Sequence, residues 1–135
     1  YAFYKCKSLT AMPVNNKLKT IGKAAFYGCT SLKTLTVGGK VTTIGESAFG
    51  GCSKMTAVSI GANVKTIGAS AFSGCKSLAT VKVGSAKLKT VSKNAFKGTK
   101  SKITFKIPKK YYKSYMAKIK AKGVAAPKNA IYKKY

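Results

Sequence analysis

The chain has 135 residues, a length suited to one domain. It carries 27 lysines against a single acid, Glu46, for a formal charge of +26, and has no Arg, Asp, His or Trp. That balance leaves no carboxylate or imidazole pair for acid–base catalysis and predicts attraction to polyanions. Lysine, a hydrated point charge without a bidentate fork, favours diffuse phosphate or sulfate contact over specific readout.

Ala-Phe recurs at Ala2-Phe3, Ala25-Phe26, Ala48-Phe49, Ala71-Phe72 and Ala95-Phe96. Successive phenylalanines lie 23, 23, 23 and 24 residues apart, and Cys6, Cys29, Cys52 and Cys75 each follow three residues after one. A fixed period in the twenties predicts a solenoid. The first unit, residues 2–24, is degraded: Lys5 stands where later units have glycine, and Pro13 and Asn15-Asn16 disturb its strand and turn. Residues 25–47 and 48–70 are the cleanest copies. Residues 71–94 hold one extra residue near Ser85-Ala86, where an insertion only lengthens a turn. A fifth unit starts at Ala95 and drifts, with Thr99 in the cysteine slot and Lys102 in the leucine slot, and the pattern stops after Pro108.

Within a unit, Leu32, Leu35 and Val37 space as L-x-x-L-x-V, and the last pair alternates as one face of a short strand should. The matching sets are Leu9, Met12, Val14; Met55, Val58, Ile60; and Leu78, Val81, Val83. Stacked, they predict parallel strands in one sheet, closed by Gly38, Gly61 and Gly84. Val41-x-x-Ile44, Val64-x-x-Ile67 and Leu88-x-x-Val91 bring the chain back along a second side. Gly22, Gly45 and Gly68 follow, expected where a turn needs positive φ, and Ser92 breaks that series. Ala-Phe-x-Gly-Cys makes a third side no longer than a helical turn. One such unit cannot bury enough apolar surface to offset the ordering of its own backbone, so three or more copies must stack and the ends need caps.

The predicted organisation is an array of about four and a half repeats over residues 1–107 and a lysine- and tyrosine-rich C-terminal cap over 108–135. In the cap, Tyr112, Tyr115, Met116 and Ile119 keep helical spacing, Gly123 is placed as a helix stop, and an extended segment runs through Ile131. No cap is visible at residue 1, which points to a longer parent chain and leaves end-to-end stacking open at the first repeat of an otherwise monomeric protein. No stretch of about 18 apolar residues is present, so no helical membrane span is expected.

The pattern L-x-x-V-x-I-G-x-x-V-x-x-I-G-x-x-A-F-x-G-C-x-S, matched almost throughout from Leu32 to Ser53, resembles the BspA-type leucine-rich repeat. The resemblance covers about residues 2–107. It implies a leucine-rich repeat solenoid, a right-handed α/β superhelix, exposed on the bacterial surface or secreted. It also implies adhesion to host matrix or cell-surface proteins, or to other cells. It supplies no catalytic motif and no cofactor.

Four sets of residues are candidates for function. The cysteines sit on successive rungs with side chains pointing the same way, which misaligns them for disulfides, and a line of thiols without histidine or carboxylate is not a metal site. They are expected to be a buried ladder of free thiols acting as small hydrophobes. The outward strand positions Ala11, Pro13, Thr34, Thr36, Ala57, Ser59, Thr80, Lys82, Thr104 and Lys106 form a concave face without an aromatic platform; Thr34, Thr36, Ser59, Thr80, Lys82, Thr104 and Lys106 are its candidate ligand contacts. Lys19, Lys65 and Lys89 share a repeat position interrupted by Thr42 and should form a vertical row. With Lys109, Lys110, Lys113, Lys118, Lys120 and Lys122 they are candidates for polyanion contact with teichoic acid, sulfated or sialylated glycans or an acidic partner, with no motif for specific nucleic-acid recognition. Tyr112 and Tyr115 read as cap core, while Tyr132 and Tyr135 read equally as exposed contacts or as partners stacked beside lysines. Two functions stay open on these residues: a binding module, or a stiff basic stalk or wall-anchoring end.

Overall fold

A computed structural model describes residues 1–12 and 17–135. In chain order its strands are β1 (Thr20–Ile21), β2 (Thr34–Thr36), β3 (Thr43–Ile44), β4 (Ala57–Ile60), β5 (Thr66–Ile67), β6 (Thr80–Val83), β7 (Thr90–Val91) and β8 (Thr104–Ile107). A 3-10 turn over Lys109–Tyr111, helix α1 (Tyr112–Lys120) and strand β9 (Ile131–Lys134) follow. Strands β2, β4, β6, β8 and β9 form a parallel sheet in that order, and β1, β3, β5 and β7 form a second. The first is the sheet expected from the Leu-x-x-Leu-x-Val pattern. The second was not anticipated, because two residues per rung are too few to show alternation. Thr20, Thr43, Thr66 and Thr90 pair in register there, as do Ile21, Ile44, Ile67 and Val91. Pro13, Val14, Asn15 and Asn16, expected in a disturbed strand and its turn with Pro13 in an outward position, lie outside the described residues.

The third side is also paired from rung to rung. The N–H groups of Phe26, Phe49 and Phe72 donate to the carbonyls of Ala48, Ala71 and Ala95 at 2.8, 2.9 and 2.9 Å. Left-handed backbone makes this possible. Ala24, Ser47, Ser70 and Asn94, each just before an Ala-Phe, have φ of 49 to 57°. Gly28, Gly51, Gly74 and Gly98 have φ of 70 to 73°, and Lys5 holds the same place in the first unit at 55°. The positive φ expected at Gly22, Gly45 and Gly68 is therefore found elsewhere. Gly45 and Gly68 are required for close approach instead: a Cβ on Gly68 would lie 2.6 Å from the carbonyl carbon of Gly45, and one on Gly45 2.7 Å from that of Gly22.

Stacking the rungs puts like on like. The rings of Phe3, Phe26, Phe49, Phe72 and Phe96 form a single file with centroids 5.0 to 5.7 Å apart and planes within 9° of parallel. Leu32, Met55 and Leu78, and Leu35, Val58 and Val81, fill the space between that file and the first sheet, and all six are buried. In the fifth unit the leucine slot slips by one residue. Ile103 is fully buried in it, and Lys102, expected there, is exposed. The extra residue of the fourth unit is not mere slack. Ser85 is fully buried, its hydroxyl donating to the Val64 carbonyl at 2.6 Å and accepting from the Lys87 N–H at 2.9 Å. Ser92 breaks the glycine series but keeps the backbone bond, donating to the Ile67 carbonyl at 2.9 Å.

The C-terminal segment packs against the last rung. Helix α1 buries Tyr115 and Ile119, and the Tyr115 hydroxyl accepts the Leu88 N–H at 3.1 Å. Gly123 turns the chain at φ 92°, and the carbonyls of Gly123 and Val124 accept from Asn94 and Phe96 as a further rung would. Strand β9 then extends the first sheet, pairing Ile131, Tyr132, Lys133 and Lys134 with Thr104, Phe105, Lys106 and Ile107. The extended segment expected through Ile131 is this strand.

Two glycine substitutions should move stability in opposite directions. Gly68→Ala pushes a methyl group into the neighbouring backbone and is expected to cost about 1–3 kcal/mol. Gly22→Ala meets nothing within 4 Å at ordinary φ and should be neutral or stabilise by about 0.5 kcal/mol through the unfolded chain. Urea denaturation of both variants measures the pair.

Candidate ligand-binding faces

The outward positions of the first sheet fall into two columns because parallel register repeats every side chain at the same place on the next strand. One column runs Ala11, Thr34, Ala57, Thr80, Thr104 and Ile131. The other runs Thr36, Ser59, Lys82, Lys106 and Lys133. All seven candidate contacts therefore lie on one face. Thr34, Thr36, Lys82 and Lys106 are exposed, and Ser59, Thr80 and Thr104 half-buried. The columns also show what the repeat pattern missed. Lys133 continues the lysine column, yet it lies outside any repeat, and only the pairing of β9 with β8 brings it there.

Tyr135 was also unplaced by sequence. Its backbone N–H donates to the Ile107 carbonyl at 3.1 Å, while its hydroxyl donates to the Val83 carbonyl at 2.8 Å. Because β8 lies between β6 and β9, the side chain crosses a strand to make that bond. The Lys82 ammonium sits 4.9 Å from the ring centroid, which puts the ring on the outer face, where it stays 51% exposed. The expectation of a face without an aromatic group is thus corrected. Tyr132, by contrast, stacks on Phe105 at 5.4 Å and continues the inward column of Leu35, Val58, Val81 and Phe105. Burial raises the pKa of both hydroxyls.

The lysine row on the second sheet exists. The Thr42 N–H donates to the Lys19 carbonyl, Lys65 to Thr42 and Lys89 to Lys65, each at 2.8 Å, so the four residues occupy consecutive rungs. Their lysines are exposed. Beside them runs a column that the sequence reading passed over, Thr20, Thr43, Thr66 and Thr90. In the C-terminal segment several lysines lie over tyrosine rings rather than beside acids: Lys110 over Tyr111, Lys118 over Tyr115, Lys120 over Tyr132 and Lys134 over Tyr112, at 4.9 to 5.8 Å. Lys109, Lys113 and Lys122 are exposed. Glu46, the single acid, pairs with Lys23 at 3.1 Å.

All four cysteines are free thiols, but they do not form one buried ladder. Cys29, Cys52 and Cys75 are buried, and Cys6, in the degraded first unit, is exposed. The buried thiols are more than small hydrophobes. Each donates to a phenylalanine carbonyl one rung back: Cys29 to Phe3, Cys52 to Phe26 and Cys75 to Phe49, at 3.0 to 3.2 Å. Burial raises the pKa of Cys29 and Cys75 and pushes that of Cys52 up to about 12. Among the described residues no group of three or more His, Cys, Asp or Glu is placed to hold a metal ion.

The family model of the BspA-type leucine-rich repeat region matches residues 1–117 in six copies. The chain belongs to the BspA-type leucine-rich repeat family. A solved structure to which this BspA-type chain is similar is the crystal structure of the pneumococcal vaccine antigen PcpA, with a TM-score of 0.72 and 22% identity. The likeness covers 99% of this chain and 32% of that one, so the chain spans about a third of PcpA's length. At that identity the likeness shows the fold. A comparison with curated proteins finds no match.

The thiols give a direct check on burial. At pH 8 an aromatic disulfide reagent should titrate Cys6 alone in the folded protein, one thiol per chain, and all four after denaturation in guanidinium. Rapid reaction of more than one thiol in the folded state would show that the cysteine side of the rungs opens readily.

Proposed function

We propose that this chain is a non-enzymatic binding module of a bacterial surface or secreted protein, and that its repeat-built surface engages polyanionic ligands. Such ligands include anionic glycans, teichoic acid and acidic patches on host proteins. The observation that carries this reading is the missing counter-charge. Of 27 lysines, Lys23 pairs with the only carboxylate side chain in the sequence, and two sets of lysines, Lys19, Lys65 and Lys89 on one side and Lys82, Lys106 and Lys133 on another, line up from rung to rung. A surface made only for solubility mixes signs. Family membership supports the surface setting. Among the described residues no helix is long and apolar enough to cross a membrane. The absence of catalysis is supported by the lack of histidine and aspartate. The buried thiols support it too, since a raised pKa keeps them protonated and poorly nucleophilic at neutral pH.

A second reading, an electrostatic wall-anchoring or stalk end, is favoured by the placement of 13 of the 27 lysines in residues 95–135. It puts binding in Lys109, Lys110, Lys113, Lys118, Lys120 and Lys122 rather than on a sheet face.

Immobilised heparin, a neutral dextran and purified Gram-positive cell walls separate these readings when loaded at about 0.05 M and 0.5 M salt. Retention on heparin and walls at low salt, lost at high salt and absent on dextran, is the expected result. Binding that ignores salt overturns the electrostatic mechanism. Release from walls by glutamine at the six tail lysines, with heparin retention kept, favours anchoring.

A further inference from the structure

The lysine column of the first sheet is built against a rule of sheet stability. Like charges directly opposite on neighbouring strands are destabilising, yet Lys82, Lys106 and Lys133 occupy paired positions on β6, β8 and β9. Two strands earlier the same column holds Thr36 and Ser59, which carry no such cost. A breach of a local rule at one end of an otherwise regular array points to a function there. Two further features surround the column. Thr80 and Thr104 set a hydroxyl beside Lys82 and Lys106 on the same face. Tyr135, tied to Val83 and lying under Lys82, closes the side with a half-exposed ring.

We infer that this end of the concave face, Lys82, Lys106 and Lys133 with Thr80, Thr104 and Tyr135, is a binding site for a sulfated glycan chain running across the strands. The inference rests on the polyanion reading above and places it on a site. Neighbouring strands lie about 4.8 Å apart, so the lysine side chains leave the sheet at short, regular intervals along the line the polymer follows. A chain bearing an anionic group on each sugar or disaccharide meets successive lysines without leaving the sheet. The threonine hydroxyls match sugar hydroxyls. The ring of Tyr135, held by its hydroxyl bond and partly covered by the Lys82 ammonium, offers its remaining exposed surface as an apolar wall against which a pyranose packs. A bare polyphosphodiester uses the lysines alone and gains nothing from Tyr135. A single-stranded nucleic acid needs a succession of aromatic faces for its bases, and this face has one. Lysine rather than arginine suits the site, since a sulfate between two strands is met by point charges and not by a single planar fork.

Isothermal titration of the full chain with size-fractionated heparin, fully desulfated heparin and poly(glycerol phosphate) at about 0.05 M salt tests the site. Three variants accompany the wild type: K82Q/K106Q/K133Q, Tyr135→Ala, and the charge-matched control K33Q/K54Q/K76Q, whose lysines are exposed elsewhere on the rungs. The column variant should lose about tenfold or more in heparin affinity, with the slope of log K on log salt shallower by roughly 2 to 3. The control should lose less than about threefold, as only long-range attraction changes. The column variant should melt no lower than the wild type, because neighbouring like charges have been removed. A merely structural column predicts a lower melting point instead. Tyr135→Ala should weaken heparin several-fold and leave poly(glycerol phosphate) unchanged. Equal losses in the column and control variants overturn the site, and equal losses of heparin and poly(glycerol phosphate) in Tyr135→Ala overturn the glycan assignment. Both leave the polyanion reading standing. Failure of the wild type to bind any of the polyanions at low salt overturns that reading itself.

Discussion

Rung-to-rung hydrogen bonding at an offset of 23 or 24 residues is the constraint on which the rest of this molecule depends. All three sides of the repeat obey it: strands β2, β4, β6 and β8 of the first sheet, the two-residue strands opposite, and the Ala-Phe corner whose N–H groups reach the next corner's carbonyls; β9 alone joins at a different offset, 27 residues from β8. Parallel in-register pairing means that every side chain faces its own counterpart one rung away. The chain therefore does not choose contacts singly. It chooses columns, and a residue type repeated at one position is either reinforced by its copies or penalised by them.

For apolar residues the column is a gain. Five phenylalanines pile in one file, and each inner ring is covered on both faces. Cysteine works in a column because its thiol donates back to the previous rung, so no buried polar group is left unpaired. Glycine works because two backbones meet too closely for a methyl group. For lysine the column is a cost. Two ammonium groups about 4.8 Å apart repel by at most about 1 kcal/mol per pair in water. Elsewhere runs of lysine are kept shorter or given partners, the longest on the second sheet being the adjacent pair Lys65 and Lys89. Thr42 interrupts the row on the second sheet, Lys23 meets Glu46, Lys87 meets Asn63, and the tail lysines lie over tyrosine rings. The column through Lys82, Lys106 and Lys133 runs three lysines long without interruption, with Lys82 alone placed over a ring, that of Tyr135, and its length is what sets it apart from the general basicity.

How much of this was legible in the sequence follows from the same constraint. Anything that repeats is visible: the Phe26–Phe49–Phe72 file, the Leu35–Val58–Val81 core line and the row through Lys19, Lys65 and Lys89 could all be drawn from spacing alone. What a short element does locally is not visible. Two residues such as Thr43 and Ile44 carry no periodicity, so the second sheet was read only as a returning side. Glycine identity does not say whether φ or proximity demands it, and Gly68 answers to proximity while Ser70 takes the positive φ. Slips of one residue, as at Lys102 and Ile103, are decided by which side chain fits the hole. Residues outside the repeat are the hardest. Nothing in the spacing of Lys133 and Tyr135 shows that their strand pairs with β8, because that pairing depends on a helix first turning the chain back.

That last point ties the fold to the candidate site. The segment from Tyr112 onward performs the task that any solenoid end requires, covering the open core with Tyr115, Ile119 and Val124 and shielding the sheet edge with β9. An edge strand bearing Lys133 and Lys134 also discourages another chain from adding to it. Yet the same strand supplies the third lysine of the column and the aromatic ring beside it. The strand that covers the core's edge therefore also supplies part of the proposed ligand face. The repeats contribute Lys82, Lys106 and the threonines, and the pairing of β9 with β8 adds Lys133 to their column and sets Tyr135 beside it, so the proposed site depends on residues from both parts of the chain.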